Sequence, residues 1–307
     1  MADVVIMTEK SELFMTAPFT ADDKTAGAGT AENAAKSGVA AILAKDGDEA
    51  IAKAKQLLSV LPANNLETAG NDYYMENDAA VSADLKGIEL ISSVADKESV
   101  IELYKQFGTS AVTAIGSLNW RTAGFVATNN GAKLTADDSA KIARFVTLCD
   151  AYSIPVVTFV DSEGFEKSSA AELAGSIRDS AKLAQAYASA TTAKIAVVTG
   201  KAYGSAYVAL ASTAAGSDFT FAWENAVIAP TTPEAAVVFL NGVSEDNAKQ
   251  AQEYAENEAD AFTAAANGYV DRVITADDTK SALTSAIEAT SSKRVVAPAK
   301  KHVNFVY

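Results

Sequence analysis

The sequence predicts an α/β protein with a largely parallel sheet, and three observations indicate this class. The runs Ile154 to Val160 and Lys194 to Thr199 are mostly apolar, as is typical of strands buried on both faces. Segments with the 3.6-residue periodicity of helices separate these strands from their neighbours. Each run is followed by a polar or glycine-containing segment, which is where open α/β sheets place their ligands.

The first residues predict short elements. Val4 to Met7 and Leu13 to Met15 are predicted as strands, and residues 21–37, rich in small and polar residues, as a loop or a loosely held helix. Asp46 and Glu49 have the spacing of a capping box, so a helix is expected to begin there. Its apolar face comprises Ile51, Ala54, Leu57, Leu58 and Leu61, and Pro62 ends it.

Residues 62–85 contain several carboxylates and no Lys or Arg, together with the turn-forming pairs Asn64-Asn65 and Gly70-Asn71. Such a segment has little to bury and is typical of a linker. The sequence therefore predicts three parts, residues 1–65, an acidic linker at 66–95 and a domain at 96–307.

The larger part alternates strands and helices. It is expected to begin with a hairpin of Ala111–Ile115 and Thr122–Thr128 around Asn119, then a helix capped by Thr135 with Ile142, Phe145, Val146 and Cys149 inward, the strand to Val160 and the loop Asp161–Phe165. A long helix over 170–190, the strand to Thr199, the loop Gly200–Gly204, a short alanine-rich helix and the strand Phe219–Trp223 are expected next. The last expected elements are helices starting near Pro233 and Ser244, the second ending at Gly268, the strand Tyr269–Ile274 and a helix over 275–290. A ββα superhelix of crotonase type has this order, and so does a doubly wound sheet. The pattern alone leaves both open.

Charge and composition exclude several classes of function. The net charge is −14, from 25 basic and 39 acidic residues, which opposes binding to nucleic acid or to acidic membranes. No run of eighteen apolar residues predicts a membrane span, and the first ten residues lack the features of a secretory signal. With one cysteine, no intramolecular disulfide can form. We therefore expect a cytoplasmic, soluble protein.

The residues that usually carry enzyme chemistry are scarce. The one histidine, His302, lies in a basic tail, so a zinc cluster or a Ser-His-Asp triad is not expected, and no metal site is predicted. Cys149 lies on the apolar stripe of its helix and is interpreted as a buried structural thiol. Gly27-Ala-Gly29 follows no buried strand and is a weak nucleotide-binding signal.

Two segments remain as candidates, Asp161–Phe165 and Gly200–Ala206. A glycine segment that leads into a helix presents free backbone N–H groups with the positive end of the helix behind them. Two such donors aimed at one point form an oxyanion hole, which needs no special side chain. The alternative is a turn that needs glycine only for its conformation. From the pattern alone the two interpretations have equal weight.

Longer motifs extend the comparison to a family. The run from Lys141 to Phe165, KIARFVTLCDAYSIPVVTFVDSEGF, resembles a K-x-A-R-F-x-x-x-C-D…I-P-x-x-T-F-V-D-x-P-G-F string of the biotin-dependent acyl-CoA carboxyltransferases, the β-type subunits of propionyl-CoA and related carboxylases and decarboxylases. Lys201 to Tyr207 is similar to the family's K-A-Y-G-G-A-Y. Further matches are Ile177-Arg178, Ala181–Leu183, Ala186–Ala188, Ala222-Trp223, Gly268–Asp271 and the tail Pro298–His302.

The resemblance implies a ClpP/crotonase-like ββα superhelix. It also implies that residues 1–65 are the tail of an N-terminal carboxyltransferase domain and that residues 96–307 are a C-terminal, biotin-side domain. The earlier part of the N-terminal domain, with most of the CoA site, is expected to be on a separate chain. The implied reaction moves carboxyl between carboxybiotin, on a biotin carboxyl carrier protein, and the α-carbon of an acyl-CoA through an enolate. A trimeric or hexameric homo- or hetero-oligomer is expected.

Site residues follow from the same resemblance. The backbone N–H groups of Ser205 and Ala206 are the implied catalytic donors to the biotin ureido oxygen. The implied biotin-contacting residues are Phe159, Val160, Asp161, Gly164, Phe165, Tyr203 and Gly204, and Val208 is expected on the acyl side.

Three positions depart from the family pattern. Ser205 replaces a glycine, Glu163 a proline, and Thr231–Ala235 a glycine-bearing M-G-P-E-G loop. The alternatives are the carboxyltransferase subunit of a sodium-pumping decarboxylase, a crotonase-type acyl-CoA hydratase or isomerase with Glu163 as general base, and a scaffold subunit without catalysis.

Overall fold

The computed structural model describes residues 2–16, 27–64, 67, 75–131 and 133–296. The strands are β1 (Ile6–Thr8), β2 (Ile42–Ala44), β3 (Ile101–Leu103), β4 (Val112–Leu118), β5 (Arg121–Ala127), β6 (Val156–Ser162), β7 (Lys194–Tyr203), β8 (Phe219–Trp223), β9 (Val227–Ala229) and β10 (Arg272–Ile274). The helices are α1 (Ala31–Lys36), α2 (Gly47–Val60), α3 (Gly87–Val94), α4 (Ala136–Ala151), α5 (Ser169–Leu173), α6 (Ser176–Ser189), α7 (Gly204–Ala211), α8 (Pro233–Asn241), α9 (Asn247–Asn257), α10 (Ala261–Ala266) and α11 (Thr279–Thr290). His302, the tail motif around it and Gly70-Asn71 lie outside the described residues.

The main sheet confirms the α/β prediction. Its strand order is β10-β8-β7-β6-β5-β4-β3, with β9 paired to the end of β7. Pairing is parallel from β10 through β5 and antiparallel for β4 and β3. A second, parallel pair consists of β1 and β2. The carboxyl ends of β6 and β7 therefore meet at one edge, as the sequence predicted.

The predicted hairpin is confirmed, and its turn has a local cause. Asn119 and Trp120 have φ angles of 48° and 75°, which the tight turns of twisted hairpins require. The Asp96 carboxylate accepts hydrogen bonds from both turn amides, at 2.9 Å for Asn119 and 3.1 Å for Trp120. These two charge-assisted bonds stabilise a backbone conformation that non-glycine residues rarely adopt.

Two apolar layers cover the faces of the sheet. On one face α4 and α6 pack through residues such as Phe145 and Leu183, and on the other α3 and α11 pack through Leu90 and Leu283. Strand β6 alternates between the layers, so Val160 is buried on the first face and Phe159 on the second. Both faces of β6 are buried under apolar side chains, which explains its continuous apolar sequence.

Helix α4 begins at the predicted capping box. The Thr135 hydroxyl accepts from the Asp138 amide at 3.2 Å, and the Asp138 carboxylate accepts from the Thr135 amide at 2.8 Å. Asp138 is fully buried, and its second oxygen accepts from the Ala111 amide at 3.0 Å. One turn along, the buried Lys141 donates to the carbonyls of Gly108 and Ala111 at 3.3 and 2.7 Å. Together the two side chains attach the start of α4 to the start of β4.

Burial gives Lys141 a testable pH dependence. Removal from water lowers the pKa of this lysine from 10.5 to about 8, opposed by the nearby carboxylates of Glu102 and Asp138. Between these two pH values the unfolded chain binds a proton that the native protein does not, so native stability rises with pH across this window. Between about pH 8 and 10.5, we expect the free energy of unfolding of the wild type to rise by roughly 3 kcal/mol relative to that of Lys141→Met. Urea unfolding of both proteins at several pH values measures these free energies. If the free energy changes with pH by the same amount in both proteins, the expectation is contradicted.

Several predicted boundaries are wrong for physical reasons. The long helix over 170–190 is two helices, α5 and α6, because Gly175 adopts a left-handed conformation with φ 79° between them. The helix from Ser244 to Gly268 is also broken, since Asp260 starts a new helix by accepting from the Phe262 and Thr263 amides. Helix α11 starts four residues after the predicted Thr275.

The N-terminal predictions are correct only in part. Leu13 to Met15 forms no strand, and Leu13 and Met15 are exposed. Helix α2 begins after Asp46 as predicted, but Ile51 and Leu58 on its predicted apolar face are 56% and 69% exposed. Leu57 and Val60 are the residues of α2 that join the core.

The segment predicted as a linker, 66–95, ends in a helix. Leu90, Ile91 and Val94 of α3 are fully buried against the sheet, so this part of the segment belongs to the core. The division into two domains stays a prediction. Within the part of the chain that the structure describes, no helix has the length and apolar character needed to cross a membrane.

Candidate functional site

A cleft of about 570 Å³ opens at the carboxyl ends of β6 and β7. Its walls are the segment after β6, the start of α7, one face of α6 and the segment before α8. The lining residues are Glu163, Gly164, Phe165, Glu166, Lys167, Glu172, Ser176, Ile177, Ser180, Ala181, Ala184, Tyr203, Gly204, Ser205, Ala209, Pro230, Thr231 and Thr232. Both segments that the sequence singled out therefore meet in one cavity.

The junction of β7 and α7 differs from the predicted loop. Strand β7 continues to Tyr203, because Lys201 to Tyr203 pair with β9. Helix α7 then starts at once with Gly204, whose φ is 58°. A side chain at Gly204 would place its Cβ 3.2 Å from the Pro230 carbonyl oxygen, so the position favours glycine both by conformation and by space.

The first turn of α7 provides free backbone donors. The amides of Ser205 and Ala206 lie where helix geometry supplies no acceptor, and the cap residue Tyr203 makes no side-chain hydrogen bond to them. The partial positive charge of the helix end lies at the same place. Ser205 is exposed to the cleft, Ala206 is fully buried, and Ser205 has ordinary helical backbone, so its side chain causes no strain there.

The segment after β6 is held by its own hydrogen bonds. Gly164, with φ 106°, donates from its amide to the Ser162 hydroxyl at 3.2 Å, and its carbonyl accepts from the Leu134 amide at 3.0 Å. The Asp161 carboxylate accepts from the Lys201 amide at 2.8 Å, so it links β6 to β7. A Cβ at Gly200 would lie 2.5 Å from this carboxylate, which explains the glycine.

An ion pair lies at the rim of the cleft. The Lys201 ammonium donates to the Glu163 carboxylate at 2.7 Å, and both side chains are partly exposed. This hydrogen bond lowers the pKa of Glu163, with further lowering from Lys133 and Lys167, and raises the pKa of Lys201. Glu163 is therefore ionised and engaged, which makes it a weak proton acceptor.

The predicted site residues fall into three groups. Gly164, Phe165, Tyr203, Gly204 and Ser205 line the cleft together. Asp161 links β6 to β7 through its hydrogen bond with the Lys201 amide, Ala206 is buried in α7, and Val208 is 51% exposed on α7. Phe159 and Val160 lie in the two apolar layers and do not line the cleft. The carboxyl end of their strand, β6, borders the cleft, whereas their side chains belong to the core.

Two walls of the cleft were not among the predicted site residues. One is α6, which contributes Ser176, Ser180 and Ala184, and the other is the segment with Thr231 and Thr232. The spacing of the α6 residues at every fourth position is a signal of one helix face made of small residues. No local signal places residues 230–232 beside Gly204, since that contact depends on the pairing of β9 with β7.

Comparison with known proteins decides the family. The model of the carboxyl transferase domain matches residues 1–305. The chain belongs to the carboxyl transferase domain family. It is 35% identical to the methylmalonyl-CoA carboxyltransferase 12S subunit of Propionibacterium freudenreichii, over 99% of this chain and 64% of that protein. It is 33% identical to the methylmalonyl-CoA decarboxylase subunit alpha of Veillonella parvula, with the same coverage.

Solved structures confirm the crotonase-like fold for this carboxyl transferase domain. A crystal structure of the transcarboxylase 12S hexamer with methylmalonyl-CoA bound matches with a TM-score of 0.89 at 34% identity. The match covers 99% of this chain and 64% of that one. A single-chain long-chain acyl-CoA carboxylase has the same fold, with a TM-score of 0.77 at 23% identity. The chain spans 64% of the length of the two curated relatives and of the 12S structure.

Proposed function

We propose that this chain supplies the biotin-side half of an acyl-CoA carboxyltransferase. The reaction transfers carboxyl between carboxybiotin on a biotin carboxyl carrier protein and the α-carbon of an acyl-CoA. One observation carries the proposal, namely that the start of α7, where the amides of Ser205 and Ala206 have no intrahelical acceptor, borders a cleft in a carboxyl transferase domain. Methylmalonyl-CoA, named for two relatives, is the proposed type of acyl-CoA.

The cleft has properties that fit a bicyclic urea. Its volume of about 570 Å³ exceeds that of a small head group, and Gly164 and Gly204 allow close approach to backbone. Two amides aimed at a ureido oxygen stabilise negative charge that develops on it, without any titrating side chain. Biotin supplies the nitrogen that carries the carboxyl group. The role of this chain is to hold that ring and to polarise its carbonyl.

The surroundings of the cleft favour a partner chain for the acyl-CoA side. Ile177, which lines the cleft, is 75% exposed, and Leu173 of the preceding helix α5 is 90% exposed. Exposed apolar patches are typical of interfaces. The proposed partner is a CoA-binding carboxyltransferase N-terminal chain in a trimeric or hexameric assembly. The buried Cys149 agrees with the cytoplasmic location that we also propose.

Binding of free biotin tests the site directly. In ¹⁵N-labelled protein titrated with biotin, the largest amide shifts are expected at Ser205 and Ala206, because a hydrogen bond to an amide changes its shift. Residues of the α3–α11 layer serve as the internal control. Shifts confined to other surfaces, or no saturable shift, would contradict the proposed biotin site.

The rival function, an acyl-CoA hydratase or isomerase, depends on Glu163 as general base. Because Glu163 is paired to Lys201 and its pKa is lowered, we expect Glu163→Gln to retain carboxyl transfer within roughly 3-fold, as for a surface ion pair. Steady-state transfer rates measure this. Hydration of an enoyl-CoA by wild type that is lost in Glu163→Gln would instead support the rival function.

A further inference from the structure

The Ser205 side chain lines the cleft, and no hydrogen bond gives it a structural role there. Its hydroxyl makes no hydrogen bond to any described residue, and it does not cap α7, which begins one residue earlier. By contrast, the Ser162 and Ser168 hydroxyls nearby are engaged with Gly164 and Glu166. A free hydroxyl on the wall of a cavity is available to a ligand.

The neighbouring Tyr203 reinforces this assignment. Only 7% of Tyr203 is exposed, it lines the same cavity, and no described residue is hydrogen-bonded to its hydroxyl. Burial raises the pKa of Tyr203, so the phenol remains a neutral group near neutral pH. The start of α7 therefore carries two uncharged hydroxyl groups, and Lys201, the residue two positions before Tyr203, is paired with Glu163.

We propose that the Ser205 hydroxyl is a third hydrogen-bond donor to the ureido oxygen held by the Ser205 and Ala206 amides. This inference rests on the proposed function and deepens it. A hydroxyl on the second residue of a helix lies close to its own amide, so both can reach one acceptor. A carbonyl oxygen that gains negative charge accepts a third donor, and a neutral donor adds affinity without binding the ring too tightly for release.

A series of substitutions at one position separates the hydroxyl from the space it fills. Ser205→Ala removes the hydroxyl and keeps Cβ, Ser205→Gly removes both, and Ser205→Thr keeps the hydroxyl. We expect the biotin Kd to rise roughly 3- to 10-fold in Ser205→Ala and in Ser205→Gly, the range of one neutral hydrogen bond. In Ser205→Thr the Kd is expected to stay within about 3-fold of wild type.

The matched control is Ser189→Ala, which removes an exposed hydroxyl at the end of α6, outside the cleft. Its biotin Kd is expected to equal that of wild type. The Kd values come from ligand-detected NMR with free biotin, and thermal melting checks that each variant is folded. An unchanged Kd in Ser205→Ala, or tighter binding in Ser205→Gly, would overturn the inference while leaving the proposed function in place. Failure of wild type to bind biotin would instead overturn the proposed function.

Discussion

Replacing Ala206 by proline is expected to lower carboxyl transfer to biotin by about 10²- to 10³-fold, the usual effect of losing one oxyanion-hole donor. Proline lacks the N–H group, and in the first turn of a helix, where Ala206 lies, no intrahelical bond is lost. Because Ala206 is fully buried, the proline ring also displaces neighbouring atoms, so the folded state of the variant is measured as well. Transfer from methylmalonyl-CoA to free biotin, with the CoA-binding chain present, provides the measurement.

Ala206→Gly is the matched control, because it keeps the backbone donor. It is expected to stay within a few-fold of wild type, and thermal melting shows whether each variant is folded. A folded Ala206→Pro protein with wild-type transfer would exclude the backbone donor and would favour a scaffold subunit without catalysis.

Replacing Asp138 by alanine is expected to give the largest loss of stability, about 3 to 5 kcal/mol in the free energy of unfolding. The carboxylate is fully buried and accepts from the Ala111 and Thr135 amides and from the Thr135 hydroxyl. Its removal leaves these donors unsatisfied and takes one opposing charge away from the buried Lys141. Urea denaturation gives the free energy.

The adjacent Asp137 is the control, since its side chain is exposed in the same first turn of α4. Asp137→Ala is expected to change stability by less than about 1 kcal/mol. Equal losses in the two variants would show that a negative charge in the first turn of α4, and not the buried bonds of Asp138, accounts for the effect.

Local signals made much of the fold predictable. The capping box at Thr135, the turn at Asn119 and the apolar run of β6 each specify an element within a few residues, and each is confirmed. Gly175 was missed because a single glycine within a helical pattern is usually tolerated, whereas here its left-handed conformation separates two helices.

The site was predictable where it depends on strand ends and not where it depends on distant contacts. Gly164, Tyr203 and Ser205 line the cleft, and their contacts with biotin stay a prediction. Phe159 and Val160 do not, because alternate residues of a strand buried on both faces point into the core. The wall at Thr231 depends on the pairing of β9 with β7, which no local pattern in the sequence indicates.

The most direct measurement of the central claim is the transfer of labelled carboxyl from methylmalonyl-CoA to free biotin by the purified chain together with its CoA-binding partner. We predict saturable formation of carboxybiotin that requires both chains and is suppressed in Ala206→Pro. An assembled complex that binds acyl-CoA and forms no carboxybiotin above the level of the partner alone would contradict the account.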